Sequence, residues 1–273
     1  MKLYAHANGD VIEMELDADR DAVGAQVGPR RHLVILDDQK TSIRTAFLDN
    51  RRIEFGWSRV DDDYVVETFQ RVSQLQPDIV VMTGDFLSYH PRVFEQLPNV
   101  YRHFPRGRAA TLAVLGNHDY GPNWAHPEIA QQAVETLKPF GITVLRNEIH
   151  EVDGLQVAGL DDWWARQFDA QSVLPRIDSA GAAVVLSHNP DTLDLPVWAN
   201  YEGWILSGHT HGGQCKPPFL PPPLLPVQNR RYTAGEFALS GNRRLYINRG
   251  VGNLLHVRFN VRPEVTMFEL ASE

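Results

Sequence analysis

The strongest constraint on this chain is an arrangement that recurs along it: a short apolar run that stops at a cluster of Gly, Asp, Asn or His. DIVVMTGD ends at Gly84 and Asp85, RAATLAVLGNHDY at Gly116, Asn117, His118 and Asp119, and LQVAGLDD at Asp161 and Asp162. AAVVLSHNPD reaches His188, and GWILSGHTHGGQ delivers His209 and His211. Short apolar runs bounded by turn residues read as buried strands. Polar groups at the carboxyl ends of several strands gather on one edge of a sheet, which is where α/β layers place ligands.

Helical segments separate these runs. DDDYVVETFQRVSQLQ opens with acidic residues and carries Tyr64, Val65, Phe69, Val72 and Leu75 at helical spacing, with Pro77 as its stop. HPEIAQQAVETLKPF gives a second helix ending near Pro139. KLYAHA, DVIEMEL and HLVIL are strand candidates, so residues 1–40 read as a β-rich extension integrated into the fold and 41–273 as the main domain. TSIRTAFLDN adds a run that ends in Asp49 and Asn50; ITVLRNE is one more strand candidate, and RLYINRG, LHVRFNV and EVTMFEL close the chain as β structure. The proline-rich stretch CKPPFLPPPLLPVQNRRYTAGEF reads as an ordered rim excursion, because proline cannot serve a central strand.

Composition narrows the function classes. A chain of 273 residues buries roughly 70–75% of its unfolded surface, enough for one large core. The net charge of −8 argues against a non-specific nucleic-acid partner, whose phosphates need Lys and Arg. Cys215 is the only cysteine, so an intrachain disulfide and a cysteine-based zinc cluster are both excluded. No apolar run is long enough to span a bilayer, and the acidic, interrupted N-terminus does not read as a secretory signal. The expected placement is therefore cytoplasmic, with peripheral contact at the inner membrane face allowed.

The clusters have the chemistry of a metal centre. Asp85 can bridge two cations through its two oxygens, or simply cap a turn. Asn117 offers a neutral oxygen and His118 a proton donor for a leaving group. In an extended segment His209 and His211 share a face, with Thr210 turned away. Imidazole and carboxylate ligands favour manganese, iron or zinc over an all-oxygen magnesium or calcium site.

TGD, GNHDY, SHNPD and GHTHGGQ together resemble the calcineurin-like metallophosphoesterase superfamily over roughly positions 42–270. YINRGVG and RPEVTMFEL resemble its bacterial branch of YkuE-like and UDP-diacylglucosamine pyrophosphohydrolase-like proteins. The resemblance implies an α/β fold in four layers, a central two-sheet β-sandwich flanked by helices, with two divalent ions on its upper edge. It implies that Asp85 bridges the ions, that Asn117, His188 and His209 complete one ion's shell, that His211 binds the other, and that His118 assists the leaving group. Metal-activated water would hydrolyse a phosphoester or pyrophosphate bond in a phosphate-containing small molecule or a lipid-linked substrate.

One departure stands out. The family's first motif, Asp, any residue, His, is missing; the nearest match is Asp49-Asn50-Arg51. Asp49 is the candidate ligand, with Asp37 or Asp38 as alternatives, but a permanently protonated Arg51 cannot replace a neutral imidazole. The ion expected at Asp49, Asp85 and His211 is then weak or absent, and a catalytically weak binding or regulatory protein becomes the alternative to a hydrolase. A hydrolase of another class, such as an amidase, is a third reading. Tyr89, His90, Trp124, Asp162, Trp163, Trp164 and Arg249 are candidate rim contacts because they neighbour the motifs.

Overall fold

A computed structural model of the chain describes residues 2–7, 10–15, 31–36, 62–90, 92–198, 201–252 and 258–271. In chain order its elements are β1 (Lys2–Ala7), β2 (Asp10–Glu15), β3 (Arg31–Leu36), α1 (Asp62–Gln74), β4 (Ile79–Met82), α2 (Val93–Tyr101), β5 (Ala110–Ala113), α3 (Pro127–Leu137) and β6 (Thr143–Val144). They continue as β7 (Glu148–Val152), β8 (Leu155–Gly159), α4 (Ala170–Val173), β9 (Ala182–Leu186), β10 (Gly203–Ser207), β11 (Gly235–Ala238), β12 (Arg243–Ile247) and β13 (Thr266–Ala271). Two sheets form, ordered β2-β1-β13-β3-β4-β5-β6 and β11-β12-β10-β9-β8-β7. The centre of each is parallel, β3 to β6 in one and β12, β10, β9 and β8 in the other.

Strand alternation sorts the apolar residues into layers. In β4, Ile79 and Val81 enter the core between the sheets, while Val80 and Met82 face the helices. In β10, Trp204 and Leu206 point into the inter-sheet core, and Ile205 joins a third cluster with Val173, Trp198 and Tyr201. Helix α1 buries Val65, Phe69 and Val72 against the first sheet. Helix, sheet, sheet and helical cover make the four layers of an α/β calcineurin-like architecture. The central parallel strands β4, β9 and β10 are apolar on both faces, as a sheet covered on both sides requires.

The structure corrects several sequence readings. Tyr64 and Leu75 leave the apolar face of α1, at 39% and 49% exposure, because the buried stripe is only three residues wide. ITVLRNE is not one strand: β6 closes the edge of the first sheet, Asn147 turns the chain at φ 57°, and β7 opens the edge of the second. Helix α2 was not legible, since Pro98 sits inside it. LHVRFNV places only a single bridge, at Phe259, among its described residues. The run TSIRTAFLDN lies outside the described residues.

Candidate metal centre

The polar clusters meet because both sheets present the carboxyl ends of parallel strands to the same edge. Thr83, Gly84 and Asp85 follow β4, Asn117 and His118 follow β5, His188 follows β9, and His209 follows β10. His188 joins the sheets directly, its Nδ1 donating to the carbonyl of Thr83 at 2.7 Å. Two glycines make this approach possible. A Cβ on Gly84, whose φ is +117°, would lie 2.6 Å from His188 Nδ1, and one on Gly116 would lie 2.3 Å from Asp85 Oδ1. Any side chain at either position would push the histidine and carboxylate apart.

The donor atoms converge on His188 Nε2. Asn117 Oδ1 lies 3.2 Å away, His209 Nδ1 3.1 Å and Asp85 Oδ1 3.5 Å. Carbonyl oxygens only accept, so the ring nitrogen facing one carries the proton. His188 gives its proton to Thr83 and His209 gives the proton of Nε2 to Pro226 O at 2.7 Å. Each imidazole therefore turns a bare nitrogen toward the other and toward two oxygens. Backbone carbonyls fixing the ring tautomer are the usual outer support of metal-binding histidines. Asn117 Nδ2, also buried, has no hydrogen-bond partner among the described residues.

Burial sets the electrostatics. Asp85, Asn117 and His188 are each 1% exposed. Burial pushes His209 well below the ordinary imidazole range, which keeps it neutral. Asp119 is raised well above the usual carboxylate range by burial and by the charge of Asp85, while its two oxygens clamp Gly116 N at 2.8 Å and Leu87 N at 3.2 Å. Asp85 Oδ1 in turn accepts from the backbone of His118 at 3.0 Å. Asp162 is raised to about 7, chiefly by burial; its Oδ1 accepts from Ala165 N at 2.7 Å and its Oδ2 lacks a partner among the described residues.

The extended reading of GHTH is overturned. β10 stops at Ser207, and His209 and His211 have φ of 69° and 52°, so a loop bend and not strand alternation orients them. Asp85 has φ 56° as well. Non-glycine residues in this region are strained and cluster at functional sites. His211 is buried at the start of the turn His211–Gly213. Asp49, Asp37, Asp38 and Arg51 lie outside the described residues.

Among the candidate rim contacts, Asp162 is buried, whereas Arg249 is a quarter exposed and pairs with Glu264. Trp164 stands edge-on to His209 at 4.5 Å, with Trp124 tilted against it at 4.5 Å, so these two do wall the site. Sequence reasoning missed the support beneath: Tyr120 donates to Asp161 Oδ1, and Arg146 Nε reaches Asp161 Oδ2 at 2.8 Å. The Asp161 that follows the apolar run of β8 was the available signal.

The chemistry of the donor set suits a single ion. Among the described residues no His, Cys, Asp and Glu group is arranged as a ready-made metal site, the three that converge being packed against one another, with His188 3.1 Å from His209 and 3.5 Å from Asp85. What does converge is two bare imidazole nitrogens, one amide oxygen and, slightly farther, one carboxylate. Among the described residues no helix is long and apolar enough to cross a membrane.

Known proteins place this arrangement. The family described as Calcineurin-like phosphoesterase matches residues 60–213. Phosphodiesterase YaeI of Escherichia coli is 36% identical over 207 residues, covering 71% of each chain. Metallophosphoesterase YkuE of Bacillus subtilis is 31% identical over 240 residues, 81% of this chain and 78% of its own. UDP-2,3-diacylglucosamine pyrophosphatase LpxG of Chlamydia trachomatis is 27% identical, covering 78% and 79%. Among solved structures, the NAD nucleotidase NadN of Haemophilus influenzae aligns at 14% identity and TM-score 0.49, over 84% of this chain and 46% of that one. The 5'-nucleotidase precursor of Thermus thermophilus aligns at 16% and 0.46, over 83% and 49%, so the chain spans about half of either. The cytoplasmic placement expected from the sequence does not stand: neither an N-terminus unlike a secretory signal nor the lack of a membrane-crossing helix among the described residues establishes a compartment. On the family match and its relatives, the chain belongs to the calcineurin-like phosphoesterase family.

Proposed function

We propose that this chain is a metallophosphoesterase-fold protein that binds a phosphate-containing ligand at the shared sheet edge and hydrolyses it weakly or not at all. The observation that carries this reading is the one-sided donor set: His188, His209, Asn117 and Asp85 converge around a single position, the shell of one ion. The missing first-motif histidine, with Arg51 in its place, points the same way.

In this reading Asp85, Asn117, His188 and His209 hold one divalent ion, manganese, iron or zinc, and Asp49 and His211 serve a second that binds weakly or not at all. Such an ion supplies Lewis-acid polarisation of a phosphoryl oxygen. His118, half-buried with its backbone N–H on Asp85, is the proton donor nearest the leaving group. The ligand is a phosphate-containing small molecule or a lipid-linked phosphate. A full hydrolase is the second reading, favoured by the two imidazoles whose protons are directed away from the centre and by the phosphodiesterase named among the relatives.

Metal content of the purified chain, measured with turnover of bis-p-nitrophenyl phosphate in added Mn²⁺, separates the two. One ion or fewer per chain and no turnover above the metal-only blank is the expected result. Two ions per chain with repeated turnover would overturn the proposal and restore the hydrolase.

A further inference from the structure

The proline-rich loop beside the site carries an apolar surface for which the metal centre has no use. Phe219 is fully exposed, and Leu220 and Leu224 are 61% and 67% exposed. Phe259, 55% exposed, belongs to the same face, because Cys215 and Phe259 form a bridge and Lys216 N donates to Phe259 O at 2.9 Å. Half of the large apolar side chains exposed among the described residues are these four.

The loop is held rigidly in this presentation. Pro222 is buried against Gly213, where a Cβ would come within 2.2 Å of it, and its carbonyl accepts from Arg230 at 2.7 Å. Asp191 accepts from the backbone N–H groups of Gln228 and Asn229, at 2.7 and 2.9 Å. Pro226 O accepts the His209 proton, so the base of the loop is part of the centre itself. Apolar side chains fixed outward on a stiff loop pay little ordering entropy on contact.

Charge selects the occupant. The chain's net charge is −8, yet residues 215–235 contain Lys216, Arg230 and Arg231 and no Asp or Glu, and 258–263 contain Arg258 and Arg262 and again no acid. Lys216, Arg230 and Arg262 are exposed. Aromatic and leucine side chains flanked by cations suit an anionic bilayer surface, where apolar groups enter the headgroup boundary and basic groups meet lipid phosphates. We infer that this loop docks the protein on anionic phospholipid membranes, with Phe219, Leu220 and Leu224 as the inserting side chains and the metal centre facing the surface.

The inference does not depend on metal binding or turnover, so it is tested in EDTA with the full chain. Flotation with phosphatidylcholine vesicles, with and without phosphatidylglycerol, is the assay. The wild type floats with the mixed vesicles and stays behind with phosphatidylcholine alone. Phe219→Ser with Leu224→Ser lowers partitioning at least about tenfold, since each such side chain loses its transfer from water. Lys216→Glu with Arg262→Glu lowers it on the mixed vesicles, and unchanged unfolding temperatures show that both variants fold. Wild type that floats with neither vesicle, or a Phe219→Ser/Leu224→Ser variant that floats as well as wild type, overturns the inference. So does a solution dimer dissolved by those substitutions with vesicle partitioning unaltered, which would make the face a contact between copies.

Discussion

Asp85 and Phe219 mark the two extremes of this edge of the molecule. Around Asp85 most polar groups are buried and held by named partners, and glycines admit contacts that a methyl group would block. Around Phe219 the large apolar side chains are exposed, on a loop held from beneath at Pro222 and Pro226. The difference shows that the floor and the rim answer to different forces. The floor draws its geometry from the fold and costs the fold stability when altered. The rim borrows its position from the floor and returns almost nothing to stability.

Substitutions test that contrast in order of size. Asp161→Ala should cost the most, about 3 kcal/mol, because it strips the acceptor from Arg146 and the Tyr120 hydroxyl in a buried network, softened by the quarter exposure of Arg146. Urea unfolding measures it, and a loss under about 1 kcal/mol would show that water replaces the carboxylate.

Asp162 offers a pH signature of similar order. Its folded value lies near 7, above the usual 3.8, so the folded state holds the proton that the unfolded chain has already lost. Stability that this group removes sets in as pH rises past the unfolded value and is complete above the folded one. In EDTA, wild type should fall by on the order of 4 kcal/mol relative to Asp162→Asn between about pH 4 and pH 8. A pH-independent difference between the two would refute the assignment.

Gly116→Ala comes next, at about 2 kcal/mol, since its methyl group meets the Asp85 carboxylate and backbone. It should also abolish any Mn²⁺ uptake measured by metal analysis, separating damage at the floor from simple loosening. Phe219→Ser should change unfolding free energy by less than about 0.5 kcal/mol, as an exposed side chain with no packing role does. A larger loss would place the rim within the cooperative fold and end the contrast.

The strands of both sheet centres were legible because each is a compact apolar run closed by turn residues. β4, β5, β9 and β10 follow DIVVM, ATLAV, AAVVL and GWILS, and α1 and α3 follow their helical spacing. Helix α2 was hidden by Pro98, whose local meaning is a stop. β7 was hidden because it is an edge strand with exposed Glu148 and Glu151, and only Val152 fully buried. In the site, residue types at Asp85, Asn117, His188 and His209 were legible as ligand chemistry, whereas the Asp119 clamp and the Tyr120–Asp161–Arg146 support had no spacing to reveal them.

Local pattern determined which segments became strands and that polar groups would end them, because burial period and turn chemistry act between near neighbours in the chain. The departure at Arg51 was also visible there, as a matter of side-chain identity. Tertiary structure alone decided how the imidazoles are used. His188 takes its tautomer from a carbonyl 105 residues away and His209 from one 17 residues away, and the bend that aims His209 is a backbone state at φ 69°. Hydrogen-bond partners brought together by packing, and backbone strain tolerated only because the surrounding core fixes it, leave no mark in a sequence period.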